Sequence, residues 1–254
     1  MRTLRPYMAG AWILAVVWLC SSFLAATAHA VQPHSAAGYG YGVLRDDGSR
    51  DGPCGYGNLV LNSDQQYENG YSWHYGGTQA PDWGSFAECF TPPQEWEVCA
   101  VSFDLTSVFD SGFGATLDAY LYDDDDGVPG QVLAVTTQFD PWPVARWPEV
   151  SRHAVPLVVV VDGPFWVGHW GAFQNITPPW FMAADIEGSA EGCAYTKIAP
   201  GIGYPSGWQH CEVVWGPTNA LGIGYHGHRA GTSSSGGDFR SQVGSWGKIK
   251  ALYR

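Results

Sequence analysis

Positive charge is what this sequence has least of: 12 Lys and Arg among 254 residues, against 24 Asp and Glu, for a formal net charge of -12. A protein that grips nucleic acid draws most of its affinity from clustered cations on phosphate, so that role is excluded. Charge of either sign is sparse at 14% of residues, while 45% are hydrophobic and 15% aromatic. A chain this apolar can bury a core, which excludes a disordered acidic tail. Catalytic signatures are missing too: there is no G-x-S-x-G elbow, no H-E-x-x-H helix, no Walker loop and no dinucleotide fingerprint. Nor do any two cysteines stand in the C-x-x-C spacing of many zinc sites.

Turn formers are plentiful, with 33 Gly and 17 Pro, and they break the chain into short apolar runs. That pattern argues for an all-β protein over long helices. The first thirty residues follow a different grammar. Arg2 and Arg5 precede an apolar stretch over residues 8–19, and small residues end in Ala28, His29 and Ala30. This is the layout of a secretory signal peptide cleaved after Ala30, and the uncharged run is short for a membrane span. The expected location is therefore secreted or extracytoplasmic, with cell-surface association as an open extension and no transmembrane segment in the mature chain.

Five cysteines follow the leader: Cys54, Cys89, Cys99, Cys193 and Cys211. In an oxidising compartment disulfides are the default, and an odd count leaves one thiol over. Cys89 and Cys99 flank Phe90, Thr91, Pro92 and Pro93, while Cys193 and Cys211 flank a stretch rich in Pro and Gly. The expected pairs are 89 with 99 and 193 with 211, each worth roughly 3 kcal/mol in the chain-entropy treatment. Cys54 is then free or paired between chains.

Four segments are expected: a signal peptide over 1–30, a flexible lead-in over 31–55, a β-sandwich over 56–228, and a flexible linker with a basic amphipathic tail over 229–254. Residues 98–106 alternate apolar and polar with period two, the mark of a half-buried antiparallel strand. Residues 116–122 and 131–137 read as a hairpin whose tip carries Asp123, Asp124, Asp125 and Asp126. Further strands are expected at 59–62, 71–75, 85–90, 155–161, 165–170, 180–184, 209–215 and 220–225. Strands this short and this closely spaced suggest two packed antiparallel sheets, a jelly-roll-like sandwich. Charge divides along the same lines: the leader carries +2, residues 31–228 carry -18 and the tail +4.

Several stretches together carry a resemblance. Tyr67 to Tyr71 reads YENGY, Cys89 to Pro93 reads CFTPP, Tyr122 to Gly130 reads YDDDDGVPG, and Phe165 to Gly168 reads FWVG. In these the chain resembles uncharacterised secreted bacterial jelly-roll or β-sandwich proteins that often carry a surface-sorting segment. The resemblance covers roughly residues 58–228, and it implies a non-catalytic extracytoplasmic domain. Its motifs are turn and strand signatures and point to no catalyst.

Candidate ligand-binding residues come from the aromatic excess. In residues 165–170, Trp166 and Trp170 share one strand face while Phe165, Val167 and His169 share the other. With Phe165 and Val167 inward, the two indoles form an outward pair about 7 Å apart, suited to stacking on sugar rings. Trp180, Tyr120 and Tyr122 complete this candidate set. The plainer alternative is that a loop covers these indoles as part of the core. The four carboxylates from Asp123 to Asp126 repel one another, and calcium is the candidate cofactor that would neutralise them. They do not match a hand-type calcium loop, because Tyr122 and Leu133 fall at its first and twelfth positions. A solvated hairpin tip is the alternative.

Weaker candidates complete the list. Glu95 and Glu97 would lie about 7 Å apart on one strand face, near the separation used in glycoside hydrolysis. Asp185, Glu187 and Glu191 are close in sequence but in the wrong order for a sandwich-fold glucanase. His226 and His228 offer two imidazoles for a metal, and Asn175-Ile176-Thr177 fits a glycosylation acceptor. The leading expectation is thus a secreted, non-catalytic sandwich that binds an extracellular ligand, most plausibly glycan. The alternatives are a cell-surface or matrix component attached through its tail, and a carbohydrate-active enzyme.

Overall fold

The computed structural model describes residues 33–35, 43–45, 58–73, 82–108, 115–172, 179–187 and 192–231. The expected leader, Cys54, the Asn175-Ile176-Thr177 acceptor, Glu191 and the tail from residue 232 lie outside these residues. Among the described residues the chain is all-β, with two sheets and one helical turn, α1 (Glu212–Trp215). One sheet has nine strands: β1 (Pro33–Ser35), β2 (Val43–Arg45), β3 (Asn58–Leu61), β4 (Asn69–Trp73), β6 (Trp96–Thr106), β9 (Glu149–Val161), β11 (Phe181–Asp185), β14 (Ala220–Leu221) and β15 (Ile223–Arg229). The other has six: β5 (Phe86–Phe90), β7 (Thr116–Asp124), β8 (Pro129–Phe139), β10 (Phe165–Ala172), β12 (Tyr195–Ile198) and β13 (Gly207–His210). The six run in the order β13-β12-β5-β10-β7-β8. All strand pairs are antiparallel except β2 on β9. Two strands, β1 and β2, thus fall inside the expected lead-in segment, where they extend the nine-stranded sheet by pairing with β4 and β9.

The core forms because each sheet turns one alternate set of side chains inward. Val101, Phe103 and Leu105 of β6 meet Leu117 and Leu121 of β7 and Phe165 and Val167 of β10, all effectively without exposure. Burying each such side chain contributes about 1.5–3 kcal/mol relative to leaving it in water. Period-two alternation of β6 is interrupted at one point. Against β15 the register passes from Ala100 on His226 to Val98 on Gly227, leaving Cys99 as an extra residue of β6, and Val98 joins Val101 in the core while Cys99 does not. A bulge inserts one residue and so switches which alternate set points inward.

The other face of β6 is not solvated, contrary to the half-buried expectation: Ser102, Asp104 and Thr106 are fully buried. A buried carboxylate is costly unless paired, and Asp104 is surrounded by donors. The Tyr67 hydroxyl donates to Asp104 Oδ2 at 2.5 Å, while Arg152 donates through Nε to Oδ1 and through Nη2 to Oδ2, each at 2.7 Å. Burial, followed by the Asp104 charge, holds the Tyr67 hydroxyl well above its ordinary range, so it stays a donor.

Two expectations need correction. Residues 209–215 are not one strand, because β13 ends at His210 and Cys211 turns to helical angles, its carbonyl accepting from the N–H groups of Val214 and Trp215. The turn delivers Trp215 to the core, where it stacks on Tyr71 with ring centroids 4.6 Å apart. The disulfide pairs differ as well. Cys89 bonds Cys193 across 104 residues, with Cα atoms 5.7 Å apart, while Cys211 is a buried free thiol and Cys99 belongs to a separate disulfide. Proximity in sequence misled here: β5 lies next to β12 in the sheet, which brings Cys193, two residues before β12, onto Cys89.

Candidate functional site

Strand alternation gives the six-stranded sheet an outward face opposite to Phe165 and Val167, and the sequence loads it with aromatics. Register places Tyr122, Trp166 and Cys89 in one row across β7, β10 and β5. The next row runs Tyr120, Gly168, Ala87, Tyr195 and His210. Beyond it, Asp118 faces Trp170, and Lys197 faces Trp208.

This face is a second apolar layer and not a bare platform. Trp166 is 1% exposed, because Tyr122 and Tyr195 close over it from the flanking strands. Its indole Nε1 donates to Asp124 Oδ1 at 2.8 Å. The expected outward pair of Trp166 and Trp170 therefore does not exist as a stacking surface. Trp170 stays half-buried, donating from Nε1 to the Trp83 carbonyl at 3.0 Å. Trp180 is buried in the main core, on neither side of this face. Tyr120 and Tyr122 stack at 5.5 Å, and burial raises both hydroxyls, with Asp118 adding to Tyr120 and Asp82 to Tyr122.

The face also curls. Trp208 on β13 meets Tyr122 on β7 edge-on at 5.8 Å, although these strands are four spacings apart, roughly 19 Å in a flat sheet. Contact at that separation requires both rings to lean over the middle strands and the sheet to bend toward them. Small residues provide the space: Gly168 lies under Tyr122, where an added Cβ would come within 3.1 Å of the ring, and Ala87 packs beside it.

The acidic hairpin forms one wall. Asp126 and Gly127 take φ of 55° and 84°, left-handed values that Asp and Gly tolerate in tight hairpin turns. The carboxylates are put to local use: Asp123 accepts from the Gln131 N–H, and Asp124 accepts from the Gly127 N–H as well as from Trp166. Between this wall and β12–β13 opens a groove of about 400 Å³, lined among others by Asp123, Asp124, Asp125, Gln131, Lys197 and Trp208. Lys197 Nζ is held by Asp82 Oδ1 and Oδ2 at 2.8 and 2.9 Å and lies 5.4 Å from the Trp83 ring and 5.6 Å from the Trp208 ring. An ammonium over indole faces is a cation–π arrangement, and it pins both rings in place.

The remaining candidates do not assemble. Glu95 is exposed, and Glu97 lies 3.9 Å from His228 Nε2. His226 bonds Ser102 Oγ at 2.7 Å, and a register shift between His226 and Gly227 separates it from His228. Asp185 is buried while Glu187 is exposed. Among the described residues no group of three or more His, Cys, Asp or Glu is placed to hold a metal ion.

Sequence reasoning missed Trp208, Lys197, Trp83 and Gln131. Trp208 follows Pro205, Ser206 and Gly207 without any periodic pattern, and only the pairing of β12 with β13 reveals its neighbours. Also missed was Glu88, which faces inward from β5 and is fully buried. It accepts from Asn62 Nδ2 at 3.0 Å and the Cys193 N–H at 2.6 Å through Oε1, and from the Leu221 N–H at 3.0 Å through Oε2. Four segments meet on this one carboxylate, so it serves the fold and not the groove. No family model matches the chain, and no curated protein or solved structure is similar to it.

Proposed function

We propose that the protein is a secreted, non-catalytic, jelly-roll-like β-sandwich that binds glycan in the groove between the acidic hairpin and Trp208. The supporting observation is the composition of that groove: an indole, several carboxylates, an amide and an ammonium around about 400 Å³. Sugars present both an apolar C–H face, which packs on aromatic rings, and a rim of hydroxyls, which exchange hydrogen bonds with carboxylates and amides. The disulfide between Cys89 and Cys193 is compatible with an extracellular protein, and among the described residues no helix is long and apolar enough to cross a membrane. The site is displaced from the residues first singled out: Tyr122 and Trp166 are buried in the aromatic layer against which Trp208 packs, and Trp208 supplies the stacking surface. Glycan-array screening followed by calorimetry on the secreted full chain tests this. Trp208→Ala and Gln131→Ala are expected to weaken binding at least tenfold, more than about 1.4 kcal/mol, with the circular dichroism of the fold retained. A protein that binds no glycan, or binds equally well after both changes, would defeat the proposal.

A further inference from the structure

Aromatic residues extend beyond Trp208. Lys197, which lines the groove, lies over the rings of both Trp208 and Trp83, and Trp83 is tied by its carbonyl to the indole of Trp170. Trp208, Trp83 and Trp170 are all half-buried, in contrast to the fully buried Trp166. Three linked indoles beside a groove suit a chain of rings better than one terminal sugar.

Charge narrows the chain further. Of the described residues that line the groove, Asp123, Asp124 and Asp125 are anionic and Lys197 alone is cationic. The charge of Lys197 is already matched by Asp82, which chelates its ammonium with both oxygens. Among the described residues the groove is thus left with unmatched negative charge, in a body whose residues 31–228 carry -18. A cleft lined by one sign of charge concentrates ligands of the other sign and repels its own. Sulfated and uronic-acid chains are disfavoured on this ground.

Building on the glycan reading above, we propose that groove and indole band together hold a linear glycan whose units carry free amines. The chain runs from the hairpin carboxylates past Trp208 to Trp83 and Trp170. Its ammonium groups lie toward Asp123 and Asp125, and its ring faces lie on the indoles.

Calorimetry on the secreted full chain at mildly acidic pH tests this with four probes: the β-1,4-linked glucosamine hexamer, the N-acetylglucosamine hexamer, the glucose hexamer and the glucosamine dimer. The glucosamine hexamer is expected to bind about tenfold tighter than either neutral hexamer, with the advantage shrinking as salt screens the groove. It is also expected to bind about tenfold tighter than the dimer. Trp83→Ala combined with Trp170→Ala should remove that length dependence while leaving dimer binding in place. Asp125→Asn, at the hairpin tip and outside the packed layers, should reduce the preference for amines without touching the fold. Neutral hexamers binding as tightly as the amine hexamer, or dimer and hexamer binding alike, would overturn this inference while leaving glycan recognition standing. Failure of every oligosaccharide to bind would overturn both.

Discussion

Glu88 shows how much one side chain can settle. It is enclosed between the sheets without a cation, and burial pushes its carboxyl up from 4.5 to about 7, with the nearby Asp185 charge adding to the rise. Three donated hydrogen bonds pull the other way and do not prevail. The sign of the consequence follows from proton counting. Between the ordinary carboxylate value and about 7 the native state holds a proton that the unfolded chain has released. The stability that Glu88 contributes therefore falls as pH rises through this window and levels off above it. A shift of this size corresponds to about 3 kcal/mol. His169 acts in the opposite sense over most of the same window: burial drives its imidazole down to about 3, so below the ordinary value of 6.5 the unfolded chain takes up a proton that the native state does not, and its contribution rises with pH. Urea unfolding at pH 5 and pH 8 checks the effect: the wild type should lose about 3 kcal/mol more than Glu88→Gln between the two. Gln at this position sets an amide N–H against the Leu221 N–H, so the variant is expected to be less stable at pH 5 even as it loses the Glu88 share of the pH dependence. An unchanged pH dependence in the variant would show that Glu88 titrates elsewhere. None of this was legible in the sequence, where Glu88 is one acidic residue in a strand and its burial depends on four segments that lie far apart along the chain.

At the scale of strands, much more was legible. Period-two alternation located β6, β7 and β10, and the Asp-Gly tip located the hairpin between β7 and β8. Alternation also assigned Phe165, Val167 and His169 to one face and Trp166 and Trp170 to the other, as observed. What it could not supply is what covers each face. Trp166 is buried by Tyr122 and Tyr195, which come from strands 44 and 29 residues away in sequence. The bulge at Cys99 was invisible for a similar reason, since it is defined by the pairing with β15 and not by the local pattern. Gly168 is the element-scale residue on which the Tyr122–Trp208 contact depends. A Cβ there would stand 2.7 Å from the Phe86 carbonyl and 3.1 Å from the Tyr122 ring, and the carbonyl belongs to the paired strand and cannot swing aside. Gly168→Ala should therefore cost about 1–3 kcal/mol through overpacking and push Tyr122 off Trp208. Near-ultraviolet circular dichroism should change with the Tyr122–Trp208 contact, and glycan affinity should drop alongside. An alanine variant with wild-type spectrum and affinity would mean that the sheet tolerates the methyl group and that Tyr122 does not set the groove.

For the whole molecule, the disulfide between Cys89 and Cys193 joins what the chain order keeps apart. Expecting short loops, the sequence suggested neighbours for both cysteines; the fold instead closes a loop of 104 residues between β5 and the approach to β12. Closing a loop of that length removes more freedom from the unfolded chain than a short one does, roughly 4.7 kcal/mol in the chain-entropy treatment. The bond lies in the aromatic layer beneath the groove, next to Trp166 and Tyr195, and the residue after Cys89 carries Phe90 into the core while the one before is Glu88. The Cys193 N–H is itself a donor to Glu88, so the same two strands are tied once covalently and once by a hydrogen bond across the sheet. A double variant, Cys89→Ser with Cys193→Ser, isolates this link from the separate disulfide at Cys99 in a way that adding reductant does not. It should lower the melting temperature by roughly 9–19 °C, given about 2–4 °C per kcal/mol for a chain of this size. Calorimetric unfolding measures the drop, and glycan titration well below the new midpoint should still show binding, because Trp208, Gln131 and Asp125 are held by strand pairing and the hairpin. A variant that melts at the wild-type temperature would mean that the unfolded chain is already held together between these strands, and that the covalent link adds little to what the sheet provides.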